Sequence, residues 1–245
     1  MVSDMQNFFK NKKVFITGHT GFKGSWLCLI LQNFGANVTG YSLPALELSH
    51  FNLLNIQKNI THNEGDIRNL KSLQTAIDSA NPEIIFHLAA QPFVRRSYKN
   101  PIETWETNVL GTLNLFESTK GIQNLRTIVN ITTDKCYHNK EWVYSYRETD
   151  ELGGHDPYSA SKAAVIGIVT SLAIYIPNMQ VSLFGIIEMR YKYYALLIFA
   201  VSTIIDFNIN TGGKISHFGG AFFGLFFGYL LKNGTDLSEF YGRWS

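Results

Sequence analysis

The stretch that decides the fold is Thr17-Gly18-His19-Thr20-Gly21-Phe22-Lys23-Gly24. It follows a short apolar run at residues 14–17, which is typical of a β-strand, and it precedes an apolar helical pattern over residues 23–34. Glycines at this spacing permit a tight turn and bring the backbone close to a pyrophosphate, which the helix N-terminus then faces. The motif therefore predicts a dinucleotide-binding turn with these cofactor contacts: Gly18, Gly21, Phe22 and Gly24.

Strands and helices alternate along the first 162 residues. Strand patterns occupy residues 14–17, 37–41, 60–64, 83–88 and 126–132, and helical patterns occupy residues 23–34, 70–80 and 101–119. Such alternation predicts an α/β protein with a Rossmann-like, doubly wound parallel sheet. Residues after the third and fourth strands complete the predicted cofactor contacts: Asp66, Ile67, Ala89 and Ala90.

The sequence leaves the choice of dinucleotide open. The second predicted strand ends in Thr39-Gly-Tyr-Ser-Leu43, without the acidic residue that holds a ribose 2′-hydroxyl or the arginine that holds a 2′-phosphate. NAD and NADP therefore both fit this position. Asp66 could accept a hydrogen bond from adenine, and it could equally cap the turn at residues 67–70.

Composition excludes several functions. The net charge is +2 and no basic run is present, so we expect no nucleic-acid partner. Cys28 and Cys136 have no metal-ligand spacing and support no disulfide framework, so we expect no metal site. Residues 1–13 lack the apolar core of a signal peptide, which predicts a cytoplasmic N-terminal domain.

Two clusters of side chains are candidates for catalysis. Tyr158 and Lys162 are four residues apart, so a helix places them on one face, where an ammonium and a nicotinamide cation would both lower the pKa of the phenol. Thr133, Asp134 and Lys135 follow the fifth predicted strand. Thr133 can hydrogen-bond a substrate hydroxyl, and Asp134 with Lys135 offers an acid beside a base. The alternative for this second cluster is a loop with solvated charges.

The first 162 residues resemble the extended short-chain dehydrogenase/reductase family and, within it, the CDP-glucose 4,6-dehydratase type. The matching stretches are KKVFITGHTGFKGSWL, VTGYSLP, GDIRN, PEIIFHLAAQPFVRRSY, ETNVLGT, NITTDKCYHNKEWVYSYRE and GGHDPYSASK. Dehydratases of other nucleotide sugars carry Asp-Glu where this sequence has Asp134-Lys135, and the Asp-Lys-Cys-Tyr run points to the CDP-sugar branch. The resemblance implies a lyase that holds NAD and acts on a CDP-hexose.

The same resemblance implies a role for each candidate residue. Tyr158 would take the proton of the sugar C4 hydroxyl, Thr133 would orient that oxygen, and Lys162 would hold the nicotinamide ribose. Lys135 would remove the C5 proton, and Asp134 would protonate the leaving C6 hydroxyl. The family continues well beyond its Tyr–Lys helix and builds its sugar-binding part there. The residues after Lys162 do not resemble that part, so we expect truncation to impair turnover.

Charged residues become sparse from Ala163 onward. Uncharged stretches at residues 163–176, 193–205 and 215–231 predict transmembrane helices and a lipid bilayer as partner, although each is shorter than the roughly 20 residues of a full span. Glycines at every fourth position within residues 218–228 favour close packing of membrane helices. The alternative is a set of buried helices in a globular domain.

Residues 163–235 resemble the C-terminal part of rhomboid intramembrane serine proteases, most clearly in NTGGKISHFGGAFFG. His217 matches the histidine of their Ser–His dyad, and Ser161 lies one residue from the serine position, which Lys162 occupies.

The predicted organisation is a nucleotide-binding domain at residues 1–162, membrane helices at residues 163–235 and a polar tail at residues 236–245. We thus predict a membrane-associated chain. Two alternatives to the dehydratase are a rhomboid-type protease and a non-catalytic fusion that binds only NAD; the oligomeric state stays open.

Overall fold

The computed structural model describes residues 2–147, 150–175, 180–183 and 187–190. The chain divides into two compact units, Met1–Gly167 and Ile168–Ser245. The first unit contains the glycine-rich turn and both candidate catalytic clusters. The domain limits that the sequence suggests at residues 162 and 235 stay predictions.

Five parallel strands form the sheet of the first unit. They are β1 (Lys13–Thr17), β2 (Asn37–Ser42), β3 (Thr61–Glu64), β4 (Ile84–His87) and β5 (Thr127–Asn130). Their order is β3-β2-β1-β4-β5, with Val14 of β1 in register with Val38 on one side and with Ile84 on the other. The strand order reverses between β1 and β4, and a crevice opens there at the carboxyl ends. The predicted Rossmann-like parallel sheet is confirmed.

The helices connect the strands and cover both faces of the sheet. They are α1 (Val2–Phe9), α2 (Phe22–Asn33), α3 (His50–Leu53), α4 (Leu70–Ala80), α5 (Val94–Lys99), α6 (Pro101–Trp105), α7 (Gly111–Ser118) and α8 (Pro157–Tyr175). The predicted helix at residues 101–119 is interrupted by a π-helical turn, Glu106–Leu110. Short 3-10 turns lie at Ile56–Asn59 and Asp134–Cys136. Helices α1, α3 and α5 were not predicted from the sequence.

Alternation along β1 divides the core into two layers. Val14 and Ile16 pack with residues of α2 and α3 on one face, whereas Phe15 packs with residues of α4 and α7 on the other. The buried members of the first layer are Val14, Ile16, Cys28, Leu31, Val38, Phe51, Ile56 and Ile84. Those of the second layer are Phe15, Tyr41, Ile67, Leu73, Ile77, Ile85 and Leu115. Full burial of one such side chain contributes roughly 1.5–3 kcal/mol, so the two layers hold the sheet against its helices.

Helix α8 is continuous through the position where the sequence changes character. Asp156 caps its start, because the Ser159 N–H and hydroxyl donate to the two carboxylate oxygens at 2.9 and 2.7 Å. The helix then runs from Pro157 past Lys162 to Tyr175 without a break. The predicted stretch at residues 163–176 is therefore, as far as it is described, the second part of the helix that carries Tyr158.

Beyond α8 the described residues form a two-stranded antiparallel hairpin, β6 (Gln180–Leu183) and β7 (Ile187–Arg190), which the sequence analysis did not predict. Of the helices described, none combines the length and the apolar character that a membrane crossing requires. The predicted membrane helices at residues 193–205 and 215–231, together with His217, lie outside the described residues.

Gly40 of β2 packs closely against His19, so a substitution at Gly40 tests this fold. A Cβ at Gly40 would overlap the imidazole ring of His19, which is fully buried. We expect Gly40→Ala to lower the free energy of unfolding by about 1–3 kcal/mol, because a packed core cannot accept an added methyl group without strain. Urea unfolding followed by circular dichroism measures the change.

Gly167→Ala is the matched control, since a Cβ at that helical position meets no atom within 4 Å. This variant should keep or gain stability, by up to about 1 kcal/mol, because alanine favours a helix. Equal stabilities for the two alanine variants would contradict the packing of His19 on Gly40.

Candidate active site

The glycine-rich turn between β1 and α2 forms a cradle that side chains would fill. Gly18 has φ of +73°, and a Cβ there would lie 2.7 Å from the Ala89 nitrogen. A Cβ at Gly24 would overlap the Gly18 carbonyl oxygen. Helix α2 starts after Gly21 without a side-chain cap and without an acidic residue in its first turn. Its first N–H groups can therefore bind an anion, and the cradle fits the pyrophosphate of a dinucleotide.

A cavity of about 510 Å³ lies at the carboxyl ends of the strands, next to this turn. Every cofactor contact predicted from the sequence lines it: Gly18, Gly21, Phe22, Gly24, Asp66, Ile67, Ala89, Ala90, Tyr158 and Lys162. Its charged lining residues are Lys23, Arg68, Arg96 and Lys162 against Asp66 and Glu103. The structure thus brings the ten residues together around one cavity with an excess of cations, as an anionic ligand requires. Their individual roles stay predictions.

Asp66 is fixed by Arg68. Its Oδ1 accepts a hydrogen bond from the Arg68 backbone N–H at 2.9 Å, and both carboxylate oxygens accept bonds from the guanidinium. This side-chain hydrogen bond holds the pKa of Asp66 below its usual range. The cap of α4 is Asn69, whose Oδ1 accepts from Ser72 N–H at 3.1 Å. Asp66 thus caps the turn that precedes α4, as one of its two predicted roles requires, while its predicted bond to adenine stays a prediction.

Tyr158 and Lys162 both line the cavity and are buried. Burial lowers the pKa of Lys162 to about 8. Burial raises the pKa of Tyr158, a hydrogen bond with Thr133 acts in the opposite direction, and the nearby carboxylates of Asp134 and Asp156 raise it further. The expectation that Lys162 lowers the pKa of Tyr158 is wrong for the protein alone, because desolvation of the phenol dominates.

The second candidate cluster lies on the 3-10 turn that follows β5. Thr133 accepts a bond from the Lys135 N–H at 3.4 Å and donates to Asp134 Oδ1 at 3.1 Å, so it caps the turn. Asp134 and Lys135 are exposed, and the preceding Thr132 lines the cavity. The structure thus brings Thr133 to Tyr158, whereas Asp134 and Lys135 are open to a ligand approaching from solvent.

A buried histidine that the sequence analysis did not single out stands behind the cavity. His87, at the end of β4, has Nδ1 2.6 Å from the Thr17 hydroxyl and Nε2 3.0 Å from the Thr112 hydroxyl. Thr112 donates its proton to the Asn108 carbonyl at 2.7 Å, so it must accept from His87 Nε2–H, and Thr17 donates to Nδ1. Burial lowers the pKa of His87 to about 3, which keeps the ring neutral. The only sequence signal was a polar residue within an apolar strand.

Asn108 connects this histidine to the catalytic helix. It lies in the π-helical turn, and its Oδ1 accepts from the Gln91 backbone N–H at 2.8 Å. Its Nδ2 donates to the Gln91 carbonyl at 3.3 Å and to the Ser161 hydroxyl at 2.9 Å. Ser161 is fully buried and donates in turn to the Tyr158 carbonyl at 2.7 Å. The hydroxyl proposed as a protease nucleophile therefore holds α8 in place here.

Removal of Asn108 should test this connection. In Asn108→Ala the buried Gln91 N–H loses its acceptor and Ser161 loses its donor, so we expect the free energy of unfolding to fall by about 2 kcal/mol or more. Chemical denaturation measures it. Asn37→Ala removes an exposed bond to the Asn11 carbonyl and should change stability by no more than about 0.5 kcal/mol. A similar small effect in both variants would show that Asn108 does not hold α8.

Lys162 makes stability depend on pH in a defined window. Its pKa is 10.5 in the unfolded chain and about 8 in the folded protein, so the unfolded state binds the proton more tightly. The contribution of this residue to stability is constant below pH 8 and becomes more favourable as pH rises from 8 to 10.5. We therefore expect Lys162→Met to exceed the wild type by about 1–3 kcal/mol at neutral pH, with a difference that shrinks across this window.

Urea unfolding at neutral pH and near pH 10 measures this difference. Lys99→Met, on the exposed surface of α5, is the control for loss of a lysine. A wild-type advantage over Lys162→Met at neutral pH would contradict the burial of an unpaired ammonium.

Comparisons with known proteins place this site in a class. CDP-glucose 4,6-dehydratase of Salmonella typhimurium strain LT2 is 52% identical over 158 residues, which are 64% of this chain and 44% of that protein. CDP-paratose 2-epimerase of Salmonella typhi is 32% identical over 170 residues, with 62% of this chain and 50% of that protein covered. The fold and the cavity thus define a member of the nucleotide-sugar dehydratase and epimerase class. Residues 15–179 match the family described as GDP-mannose 4,6 dehydratase, and the chain belongs to that family.

Solved structures agree with the fold. UDP-glucose 4-epimerase of Thermus thermophilus, in complex with NAD, has a TM-score of 0.59 at 25% identity and covers 68% of this chain and 52% of its own. UDP-glucose-4-epimerase of Stenotrophomonas maltophila, with bound NAD and formylated UDP-arabinopyranose, has a TM-score of 0.61 at 22% identity, with 69% and 51% covered. The second likeness shows the fold alone.

The chain spans about half, or less, of the length of these relatives. The matches give no support to the predicted rhomboid resemblance, to a serine protease or to a lipid-bilayer partner. The family match continues past Lys162 to residue 179.

Proposed function

We propose that this chain is the cofactor-binding part of a nucleotide-sugar 4,6-dehydratase that acts on CDP-glucose. The glycine-rich cradle, Tyr158 and Lys162 line one cavity, and Thr133 is bonded to the phenol of Tyr158. This arrangement is the main support for the proposal. The choice of CDP-glucose is supported by the 52% identity to the Salmonella typhimurium enzyme. The Asp134-Lys135 pair, which the sequence analysis associates with CDP-sugars, supports it further.

NAD is the cofactor that fits this cavity, and two similar structures contain it. The cradle of Gly18, Gly21 and Gly24 would hold its pyrophosphate, and Lys162 would hold its nicotinamide ribose. When bound, NAD supplies an acceptor for the hydrogen at the sugar C4, which is returned at C6.

Tyr158 and Thr133 act on the C4 oxygen in this proposal. The Tyr158 phenolate accepts the proton of the C4 hydroxyl as that carbon is oxidised to a ketone, and the Thr133 side chain orients the oxygen. When NAD is bound, its nicotinamide cation would add to the charge of Lys162 in favouring the phenolate. Because burial raises the pKa of Tyr158 in the protein alone, this added positive charge is needed for the tyrosine to act near neutral pH.

Asp134 and Lys135 act on the C5–C6 bond. The C4 ketone acidifies the C5 hydrogen, which Lys135 removes as a proton, and Asp134 protonates the C6 hydroxyl so that it leaves as water. Lys135 then returns its proton to C5 when hydrogen is returned at C6, and the proton taken up by Tyr158 balances the one given by Asp134. The net change is the loss of one water: the C4 hydroxyl becomes a ketone, and the CH₂OH group at C6 becomes a methyl group. Both side chains are exposed at the turn after β5, so an incoming sugar can contact them.

The remaining alternatives have less support than the dehydratase. The fusion that only binds NAD requires the same cradle and predicts cofactor binding without loss of water from the sugar. The protease would need His217 and Ser161, and it predicts labelling by a serine-reactive phosphonate that is lost in His217→Ala. Membrane association through the tail, with a cytoplasmic N-terminal domain, likewise stays a prediction, and sedimentation of the chain with lipid vesicles tests it.

The decisive experiment incubates the full chain with NAD and CDP-glucose and follows the sugar nucleotide by mass spectrometry. We expect a product lighter by one water, and we expect Tyr158→Phe to slow its formation by about 100-fold or more, because the phenol proton carrier is lost. Tyr144→Phe is the control, since Tyr144 is exposed. Turnover by Tyr158→Phe at the wild-type rate would refute the mechanism.

Two further outcomes separate the parts of the proposal. Absence of NAD binding, measured by isothermal titration calorimetry, would refute the cofactor assignment. NAD binding without loss of water would favour the non-catalytic alternative. It would also agree with the expectation that turnover is impaired.

A further inference from the structure

The 3-10 turn that carries the candidate acid and base is followed by a loop that is tied back to it. We call residues 137–147 the aromatic loop. The His138 N–H donates to the Glu151 carbonyl at 2.8 Å, and the Gly153 N–H donates to the carbonyl of Cys136, the last residue of the turn, at 2.9 Å. The aromatic loop therefore starts directly at the residues that act on the sugar in the proposed function.

Stacked rings and hydrogen bonds give the aromatic loop a fixed shape. The ring centroids of Tyr137 and Tyr146 are 5.2 Å apart, and the two ring planes differ by 9°. The Tyr146 hydroxyl accepts from the Lys140 backbone N–H at 3.1 Å and donates to Asn139 Oδ1 at 2.9 Å. The same Asn139 oxygen accepts from the Glu141 N–H at 3.0 Å. Because these contacts join the start of the loop to its end, a ligand would not have to order it.

Trp142 presents an indole ring beside a cation within this loop. The residue is 41% exposed, and its ring lies 6.0 Å from the ring of Tyr146. The Lys140 Nζ lies 5.1 Å from the centroid of the Trp142 ring. Glu141, between the two, has φ of +49°, a left-handed conformation that is uncommon outside glycine. An aromatic face next to a flexible cation is a combination that holds the base and the phosphates of nucleotides.

The nucleotide part of the substrate needs contacts outside the cavity. In the proposed function NAD occupies the cavity and the hexose lies at the turn after β5, so the diphosphate and the base extend from that turn toward solvent. All residues of the aromatic loop are described, and none of them lines the cavity. The loop is thus the exposed segment that continues from the turn, and bound NAD would not compete for it.

We propose that the aromatic loop binds the nucleotide part of the substrate. The Trp142 indole stacks on the pyrimidine base, and the Lys140 ammonium moves from the indole to the diphosphate, where it exchanges a cation–π contact for an ion pair. The loop contributes affinity for the nucleotide, whereas the turn before it acts on the sugar. The inference rests on the proposed function for the identity of the nucleotide, which is CDP.

Isothermal titration of CDP into the full chain saturated with NAD tests the inference. Trp142→Ala should raise the Kd for CDP by about tenfold or more, because the stacking face is lost, and Trp142→Phe should keep most of the affinity. Lys140→Gln should raise the Kd for CDP by about threefold or more and leave the Kd for cytidine, which has no phosphate, unchanged. The Kd for NAD should be the same in all three variants.

Trp105→Ala is the matched control, because Trp105 on α6 has the same exposed fraction of 41% and lies outside the loop. It should leave the Kd for CDP unchanged. In the turnover assay, Trp142→Ala should raise the KM for CDP-glucose and leave kcat unchanged, as expected for a group that binds ground state and transition state equally. A fall of kcat without a change of KM would show that the loop only supports the turn, and it would overturn the inference.

The outcomes separate this inference from the proposed function. No binding of CDP by the wild type, or equal Kd values for CDP in the wild type and Trp142→Ala, would overturn the inference and leave the cofactor assignment intact. The same titrations without NAD cover the converse case. Binding of CDP that depends on Trp142, in a chain that does not bind NAD, would support the nucleotide site and refute the cofactor assignment.

Discussion

The structure depends on a neutral histidine at the point where the strand order reverses. His87 on β4 accepts from Thr17 of β1 and donates to Thr112 of α7, so three elements meet at one ring. Thr17 also accepts from the Ala89 N–H at 3.2 Å, which draws the loop after β4 against Gly18. The cradle and the cavity exist because these two loops are held together. In the part of the chain that the structure describes, both ring nitrogens are bonded to hydroxyl groups, so a charged imidazole would lack a carboxylate partner in this buried place.

The sequence predicted the sheet well because its strands are short apolar runs bounded by polar or glycine residues. Each of the five strands lies within two residues of its predicted limits. The π-helical turn at Glu106–Leu110 was not predicted; its Asn108 is bonded to Gln91 and Ser161, 17 and 53 positions away, and a local pattern does not report such contacts. The loss of charged residues after Lys162 predicted a boundary there, which falls within helix α8. The continuity of a helix depends on its backbone and not on the charge of its side chains.

Much of the candidate site was also predictable, and the failures have physical causes. Motif spacing placed ten cofactor contacts around one cavity, because the carboxyl ends of parallel strands converge. Spacing alone could not give the pKa of Tyr158, which depends on burial by distant residues. The network through His87, Asn108 and Ser161 joins residues from 17 to 70 positions apart. No local pattern reports such contacts.

The outer edge of β5 can pair with another chain and so affects how the protein behaves in solution. In the part of the chain that the structure describes, β5 ends the sheet, and its four residues, Thr-Ile-Val-Asn, are all half-buried. A parallel strand whose backbone groups are open along one side is a template for another chain, and β-branched residues favour such addition. Concentrated solutions of the isolated chain should therefore self-associate by sheet extension, whereas a covering segment or partner on this edge would keep it monodisperse.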